Sequence, residues 1–238
     1  MAANKTFEFL ECTHCPNRGS SVFCNLHGES LEQISDSKSC CVFRKGQIIF
    51  HEGGNPYGVY CIKKGKVKLS IVGDEGREQI VRLAGDGDLL GYRSLLVGER
   101  YNASAVALED SQVCFVPRDV FTGAVKHDAN LSYEMLKLLS NQLKDAEVKL
   151  THLAQKSVRE RLAETLLFLK ETYGYEPDST YLNVRLSREE IANLVGTATE
   201  TVIRLLADFN KESLVVLEGK KIMIANIKGL MQVANLQD

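Results

Sequence analysis

The pattern of hydrophobic and polar positions changes along the chain and predicts three kinds of region. Between Phe43 and about Pro117, short runs rich in Val, Ile and Tyr alternate with glycine turns. The runs GQIIF, YGVYCI, VKLSIV and EQIVRL are separated by GGNP, KKGK and GDEG. Runs of this composition at close, regular spacing are typical of an all-β sandwich or barrel. We therefore predict a small β-roll over this region.

A long stretch without glycine or proline follows from about Leu131 and reads LSYEMLKLLSNQLKDAEVKLTHLAQKSV. Its many helix formers predict one long helix. Apolar residues recur in it at steps of three and four, as in the seam of a coiled coil. The seam is thin and lies among Lys, Glu, Asp, Asn and Gln, which favours pairing with a second copy over packing within the chain. The predicted seam consists of Met135, Leu139, Leu143, Ala146, Leu150 and Leu153.

The last third of the chain predicts a helix-turn-helix after one further amphipathic helix. The segments LSREEIANLVG and TATETVIRLLADFNKE meet at Gly196. Each begins with the spacing of a capping box, Ser187 with Glu190 and Thr197 with Glu200. Two short helices joined by a tight glycine turn form the helix-turn-helix pattern, and VVLEGKKIMI predicts a two-stranded wing beside it. The residues at buried helical spacing, predicted to be core, are Ile191, Leu194, Val195, Val202, Leu205, Leu206 and Phe209.

Composition and charge narrow the class of protein. The chain has 238 residues, 44% of them hydrophobic and 25% charged, which is typical of a globular protein and long enough for two domains. We find no signal-peptide pattern and no run near the roughly 20 apolar residues of a membrane span, so we expect a cytoplasmic protein with no membrane partner. Because thiols stay reduced there, the seven cysteines argue against a disulfide framework and toward metal binding, redox chemistry or burial.

The order of these regions resembles the Crp/Fnr family of bacterial transcription regulators over nearly the whole chain. The most specific stretches are FRKGQIIFHEG, YCIKKGKVKLS, LAGDGDLLGYRSLL and LSREEIANLVGTATETVIRLLADFNKESLV. The resemblance implies an α+β fold with a cyclic-nucleotide-binding-like β-roll, a long dimerisation helix and a C-terminal winged helix-turn-helix. We expect a cysteine-containing leader at 1–30, the roll at 31–125, the dimerisation helix at 126–156 and the DNA-binding domain at 157–238.

The same resemblance implies a homodimeric transcription regulator whose partners are duplex DNA and RNA polymerase. A two-fold dimer reads a near-palindromic site with half-sites about 10 bp apart. The net charge of −2 shows no global basic excess, so contacts to DNA must come from a local arrangement. We find no P-loop, nucleophile elbow or paired acid and base, and therefore do not expect an enzyme.

The start of the second helix carries the residues expected to read bases. Members of the family carry Glu and Arg at the positions of Glu200 and Arg204; a carboxylate accepts from cytosine N4, and a guanidinium donates to guanine O6 and N7. The alternative is structural, because Glu200 could complete the Thr197 cap or form an i,i+4 pair with Arg204. Ile203 either touches a thymine methyl group or is partly buried. With candidates for phosphate contact included, the predicted DNA-binding set is Arg188, Thr197, Thr199, Glu200, Ile203, Arg204, Lys220 and Lys221.

The leader segment ECTHCPNRGSSVFC crowds three cysteines into a short stretch. One branch of the family senses oxygen or nitric oxide with an iron-sulfur cluster held by three N-terminal cysteines and one from the β-roll. The resemblance implies a 4Fe-4S cluster on Cys12, Cys15, Cys24 and Cys114. The eight residues between Cys15 and Cys24 depart from the shorter gap of the best-known sensors.

Three alternatives to the cluster stay open for these cysteines. Zinc could use the same thiolates or substitute His14 or His27. The thiols could react with oxidants directly. The leader could also be metal-free, with Cys114 buried in a strand. Cys40 lies outside a clear strand and is the first substitute ligand, while Cys61 is expected in the core.

Part of the family binds a cyclic nucleotide in the roll, through a Gly-Glu-Leu turn and an Arg-Ser pair. Here the turn reads Gly91-Tyr92-Arg93, and Asn102 lies near the serine position. Since the sugar-binding carboxylate is missing, cyclic AMP is not expected. Gly91, Tyr92, Arg93 and Arg100 form the candidate effector pocket. The alternative function is a Crp/Fnr-type regulator without a cluster that binds a small-molecule effector or needs no ligand.

Overall fold

The computed structural model describes residues 11–236, so residues 1–10 of the predicted leader lie outside the described residues. Contacts divide the chain into two compact units. The first unit falls within Met1–Leu69 and Leu83–Asn141, and the second within Ser70–Arg82 and Gln142–Asp238. Over residues 11–236, no helix combines the length and apolar character needed to cross a membrane.

Two four-stranded sheets form the β-roll, as the glycine-punctuated pattern predicts. Their strands are β1 Ser39–Phe43, β2 Ile48–Phe50, β3 Gly58–Lys64, β4 Val67–Val72, β5 Glu78–Ala84, β6 Leu89–Leu90, β7 Ser104–Ala107 and β8 Ser111–Pro117. The strand orders are β1-β8-β3-β6 and β2-β7-β4-β5. Strand β8 pairs antiparallel with β1 on one side and β3 on the other, so β1 is an edge strand of its sheet.

The first unit packs apolar side chains on both faces of the strand β3. Inside the roll, Phe50 stacks on Tyr101 with ring centroids 4.0 Å apart. On the outer face, Val59 joins a core cluster with the leader residues Phe23 and Leu26. The helices of this unit are α1 Gly28–Ser37, α2 Tyr92–Val97 and α3 Arg118–His127, and the leader contains 3-10 turns at Cys12–His14 and Arg18–Ser20. Successive side chains of a strand point to opposite faces of the sheet, so one set lines the interior of the roll and the other set faces the leader.

The long helix α4, Ala129–Gln155, confirms the helix predicted from about Leu131. Its predicted seam needs one correction. Met135 is only 3% exposed and belongs to the core of the first unit, so it is wrong as an interface residue. Its neighbour Leu136 is 62% exposed. The exposed apolar positions of α4 that continue the 3,4 spacing are Leu136, Leu139, Leu143, Ala146, Leu150 and Leu153.

The second unit contains the predicted helix-turn-helix and wing. After α5 Val158–Tyr173 come α6 Arg188–Val195, α7 Thr199–Lys211, the hairpin of β9 Val215–Glu218 and β10 Lys221–Ile224, and α8 Ile227–Val233. All seven residues predicted as core on α6 and α7 are buried, which confirms that periodicity identified their inner faces. Leu162, Leu166 and Leu169 of α5 are buried as well.

Candidate DNA interface and cysteine leader

Helix α7 presents an exposed stripe opposite its buried face. Glu200, Ile203, Arg204 and Ala207 recur at i, i+3, i+4 and i+7 and are all exposed. Ile203 is 51% exposed. Of the two alternatives for this residue, the exposure favours a side chain available to a thymine methyl group over a partly buried one. The structure thus brings three of the predicted base readers together on the first two turns of α7, with Thr199 partly buried at its first residue.

The two helix starts differ from each other, and this changes the interpretation of Glu200. Ser187 caps α6, because its side chain accepts from the Glu190 N–H while the Glu190 carboxylate accepts from the Ser187 N–H. The predicted second box is wrong, since α7 starts after Ala198 and has no side-chain cap. Over residues 11–236, no ion pair joins Glu200 to Arg204. Both side chains are therefore free of the structural roles considered as alternatives.

This difference predicts unequal effects of two cap substitutions. Ser187→Ala is expected to destabilise the second unit by about 1 kcal/mol, because it removes an N-cap acceptor. Thr197→Ala is the matched control and is expected to change the free energy of unfolding by less than about 0.5 kcal/mol. Urea unfolding followed by circular dichroism measures both. Equal losses for the two variants would contradict the assignment of the caps.

Arg161 supports the turn between α6 and α7, and the sequence pattern did not single it out. Its Nε donates to the Val195 carbonyl at 3.1 Å, and Nη2 donates to the Gly196 carbonyl at 3.3 Å. Gly196 has a φ of 73°, the left-handed conformation that glycine adopts at little cost. The guanidinium satisfies carbonyl groups left free at the end of α6. Arg161 therefore positions the turn from which α7 projects.

The phosphate candidates around the wing have different surroundings. Lys220 is exposed in the turn of the hairpin. Lys221 lies 2.9 Å from a Glu176 carboxylate oxygen and also over the Tyr181 ring. The Arg188 Nη2 donates to the Gly219 carbonyl at 3.0 Å, while its buried Nη1 has no partner among the described residues. Burial lowers the pKa of the Arg188 guanidinium from its usual value. Arg188 therefore holds the wing against α6, and Lys220 is the most available cation of the three.

The leader cysteines lie against the outer face of the roll. Cys12 packs against the core cluster that contains Val59, and its Sγ lies 3.1 Å from Lys38 Nζ. Cys61 of β3 packs against the same cluster but is only partly buried, so it lies at the edge of the core in which it was predicted. Burial first, and then the charges of Cys15 and Cys12, raise the pKa of the Cys61 thiol to about 12. Cys12 and Cys61 thus pack against the same cluster.

Cys114 is not a free thiol in this structure, because it is joined to Cys40 by a disulfide. Two expectations are corrected. Cys40 lies within β1, directly opposite Cys114 of β8, and not outside a strand. The argument against a disulfide framework does not hold for these two cysteines, because strand pairing brings their Cα atoms to 4.0 Å and one disulfide joins them. Five cysteines remain free: Cys12, Cys15, Cys24, Cys41 and Cys61.

The predicted cluster ligands do not fit a metal in this arrangement. Within residues 11–236, no three His, Cys, Asp or Glu side chains come together as a metal site. The donor chemistry suits iron and sulfide, since all four residues are cysteines. However, Cys114 has no thiolate while it is bonded to Cys40. The four-cysteine ligand set, including Cys24, therefore stays a prediction for the reduced chain.

The residues of the candidate effector pocket have different surroundings. Gly91 precedes α2 with a left-handed φ of 79°, and Tyr92 is buried in the outer core cluster. Arg93 is exposed on α2. Arg100 lines a cleft whose volume is about 660 Å³ and whose wall also includes Arg118.

Comparison with known proteins decides the family. Residues 40–128 match the cyclic nucleotide-binding domain family, and residues 160–233 match the Crp-like helix-turn-helix domain family. The fumarate and nitrate reduction regulatory protein of Vibrio cholerae is 31% identical over 232 residues, which cover 94% of this chain and 91% of that protein. The chain belongs to the Crp/Fnr family. As a Crp/Fnr protein with this helix-turn-helix domain, it is a DNA-binding transcription regulator and not an enzyme.

A further relative and two solved structures are also similar to the chain. The regulatory protein HlyX of Actinobacillus pleuropneumoniae is 29% identical, with 90% of this chain and 91% of that protein covered. A solved regulator of the family from Eubacterium rectale has a TM-score of 0.74 at 24% identity, covering 90% of this chain and 97% of that chain. FixK2 from Bradyrhizobium japonicum has a TM-score of 0.75 at 24% identity, covering 84% and 99%. The solved structures show the shared fold.

Proposed function

We propose that this Crp/Fnr regulator binds near-palindromic DNA as a homodimer, with α7 of each copy in the major groove. The observation that carries the proposal is the exposed stripe of α7, where Glu200 and Arg204 face away from the core and form no ion pair or hydrogen bond of their side chains within residues 11–236. A recognition helix reads base edges with residues of its N-terminal turns. Glu200 suits cytosine and Arg204 suits guanine, so a G·C pair is expected within each half-site.

The exposed seam of α4 supports the homodimer. Leu136, Leu143 and Leu150 are 62%, 62% and 69% exposed, and they repeat every seven residues. Leu139 and Leu153 lie between them and are 36% and 43% exposed. A row of leucines this exposed is unfavourable in water, whereas a parallel partner helix buries it by knobs-into-holes packing.

Selection from a random DNA library, with the mass of the complex measured by analytical ultracentrifugation, tests this function. We expect enriched sites with two inverted half-sites whose centres lie about 10 bp apart, bound by two copies of the chain. Enrichment of a single half-site bound by one copy would overturn the homodimer. The absence of any enriched sequence would overturn specific readout by α7.

The exposed turn of the wing predicts a phosphate contact through Lys220. Lys220→Ala is expected to weaken binding to specific and random duplexes alike and to flatten the slope of log K against log salt by about 0.9 per half-site. Fluorescence anisotropy over a salt series measures the slope. Lys228→Ala removes an exposed cation of α8 as the control and should leave the slope unchanged. Loss of sequence preference in Lys220→Ala would instead indicate a base contact.

For the signal, we propose that the cysteines make DNA binding responsive to oxygen, nitric oxide or redox state. Support comes from the packing of the leader on the face of the roll that carries Cys61 and Cys114, and from the relatives named as fumarate and nitrate reduction regulators. In the reduced chain, Cys12, Cys15, Cys24 and Cys114 are the proposed ligands of a 4Fe-4S cluster. RNA polymerase is the proposed protein partner, and the cytoplasm is the proposed compartment.

Anaerobic reconstitution of the reduced chain with ferrous iron and sulfide tests the cluster. We expect about four irons per chain and a visible absorption band. Replacing Cys24 with serine should lower the iron content, whereas Cys41→Ser should not, because Cys41 is exposed and outside the proposed set. An iron-free reduced protein would overturn the cluster and leave the DNA-binding function intact.

A further inference from the structure

Three cysteines lie side by side across the sheet β1-β8-β3. Cys114 of β8 is in register with Cys40 of β1 and with Cys61 of β3. Directly opposed residues of antiparallel strands point to the same face of a sheet, so the three side chains form one row. Val59, two residues from Cys61, places the row on the face covered by the leader. A disulfide between cysteines of this row therefore forms on the face of the sheet against which the leader packs.

The geometry of the row favours Cys40 over Cys61 as the partner of Cys114. A residue in an antiparallel strand forms a hydrogen-bonded pair with one neighbour and a non-hydrogen-bonded pair with the other. The Cα atoms of Cys40 and Cys114 are 4.0 Å apart, which identifies the narrow, non-hydrogen-bonded pair. Side chains of such pairs lie closer together. Cys114 therefore forms its disulfide with Cys40, its partner in the close pair, and not with Cys61.

The disulfide is also within reach of small molecules. Cys40 belongs to β1, an edge strand with no neighbour on its outer side in the described sheet. Both Cys40 and Cys114 are partly exposed, not buried. Low-molecular-weight thiols and disulfides reach sulfur atoms in such positions and exchange with them.

We propose that Cys40 and Cys114 form a reversible redox pair whose disulfide withdraws Cys114 from the proposed cluster ligands. This inference rests on the proposed function of the cysteines. The oxidant is a low-molecular-weight disulfide such as glutathione disulfide. One cysteine thiolate attacks it and forms a mixed disulfide, releasing one glutathione thiolate. The second cysteine thiolate then attacks the protein sulfur of the mixed disulfide and releases the second glutathione. Two electrons pass from the two protein thiols to glutathione disulfide.

The redox pair and the cluster exclude each other. A metal-bound cysteine must be a thiolate, and a sulfur in a disulfide has no thiolate to offer. Oxidation at Cys40 and Cys114 therefore blocks assembly of the cluster on the empty chain, and a bound cluster protects Cys114 from oxidation. Cys40 acquires a role in regulation without being a ligand.

Mapping of the disulfide tests the pair by itself. The full chain is reduced and then treated anaerobically with glutathione disulfide, and peptides are analysed by mass spectrometry without reduction. We expect the free thiols to fall from seven to five and a cross-linked peptide joining Cys40 to Cys114, with reversal by reduced glutathione. Cys40→Ser should give no such cross-link, while the matched control Cys41→Ser should behave as the wild type. A chain without this cross-link would overturn the proposal.

Iron uptake then tests the consequence. After addition of ferrous iron and sulfide, the oxidised wild type is expected to hold much less iron than the reduced wild type, since one of the four thiolate ligands is blocked. Cys40→Ser lacks the second thiol and can keep a glutathione mixed disulfide at Cys114, so it is first exchanged into a concentration of reduced glutathione that removes mixed disulfides and leaves the wild-type cross-link intact, as checked by mass spectrometry. It should then load as the reduced protein does. Equal loading of oxidised and reduced wild type would overturn the exclusion while the cluster stands. A mapped cross-link with no iron in either form would overturn both the cluster and this role of the pair.

Discussion

Replacing Arg204 with alanine is expected to lower the affinity of the homodimer for its selected operator by about 10²- to 10⁴-fold. Each bidentate contact of a guanidinium to guanine contributes about 1–3 kcal/mol of discrimination, and the two-fold axis repeats the contact in both half-sites. The preference for guanine at that position should relax in a repeated selection. Affinity for random duplex should fall far less, because phosphate contacts dominate it.

Arg204→Ala tests the DNA contact directly, because loss of this side chain is expected to change the stability of the fold very little. Arg204 is exposed on α7, whereas its neighbours Leu205 and Leu206 are buried. The thermal midpoint of the variant should therefore match that of the wild type. Lys211→Ala is the control, since Lys211 is an exposed cation at the other end of α7, away from the turns that read bases. A uniform loss on specific and random DNA would assign Arg204 to a phosphate instead.

Much of the DNA-binding unit was predictable because its signals are local. The capping box of Ser187 and Glu190, the glycine at the end of α6 and the helical spacing of the core all lie within a few residues of one another. The error at Thr197 was also local: a Thr-x-x-Glu spacing is compatible with a cap, but the helix begins two residues later, at Thr199. Spacing alone does not decide where the backbone enters a helix.

The features that were not predictable from the sequence depend on contacts between residues that are distant along the chain. Cys40 and Cys114 are 74 residues apart, and their pairing requires the register of β1 on β8. Met135 and Leu136 are adjacent apolar residues, and periodicity cannot tell which of the two faces a core that includes Phe23. The support of Arg161 for the helix-turn-helix likewise arises only when α5 meets the end of α6.

Placing a glutamate at Leu143 is expected to separate the homodimer into monomers and to lower operator affinity by about 10²- to 10⁴-fold. The loss arises because the second half-site then no longer binds at the high effective concentration that a joined partner provides. Leu143 is 62% exposed in the single chain and lies at the centre of the seam. In a parallel pair, equivalent seam positions face each other, so Leu143→Glu would bring two carboxylates together in an apolar contact.

Sedimentation velocity and operator binding measured on the same sample distinguish the interface from a folding defect. Lys144→Glu adds the same carboxylate one position away, at an exposed site off the seam, and should remain dimeric with near wild-type affinity. Circular dichroism of Leu143→Glu should retain the helical signal, because Leu143 contributes little buried surface within its own chain. A dimeric Leu143→Glu protein with unchanged operator affinity would contradict the proposed interface. A dimer that tolerates two carboxylates at this position must pair through a different surface.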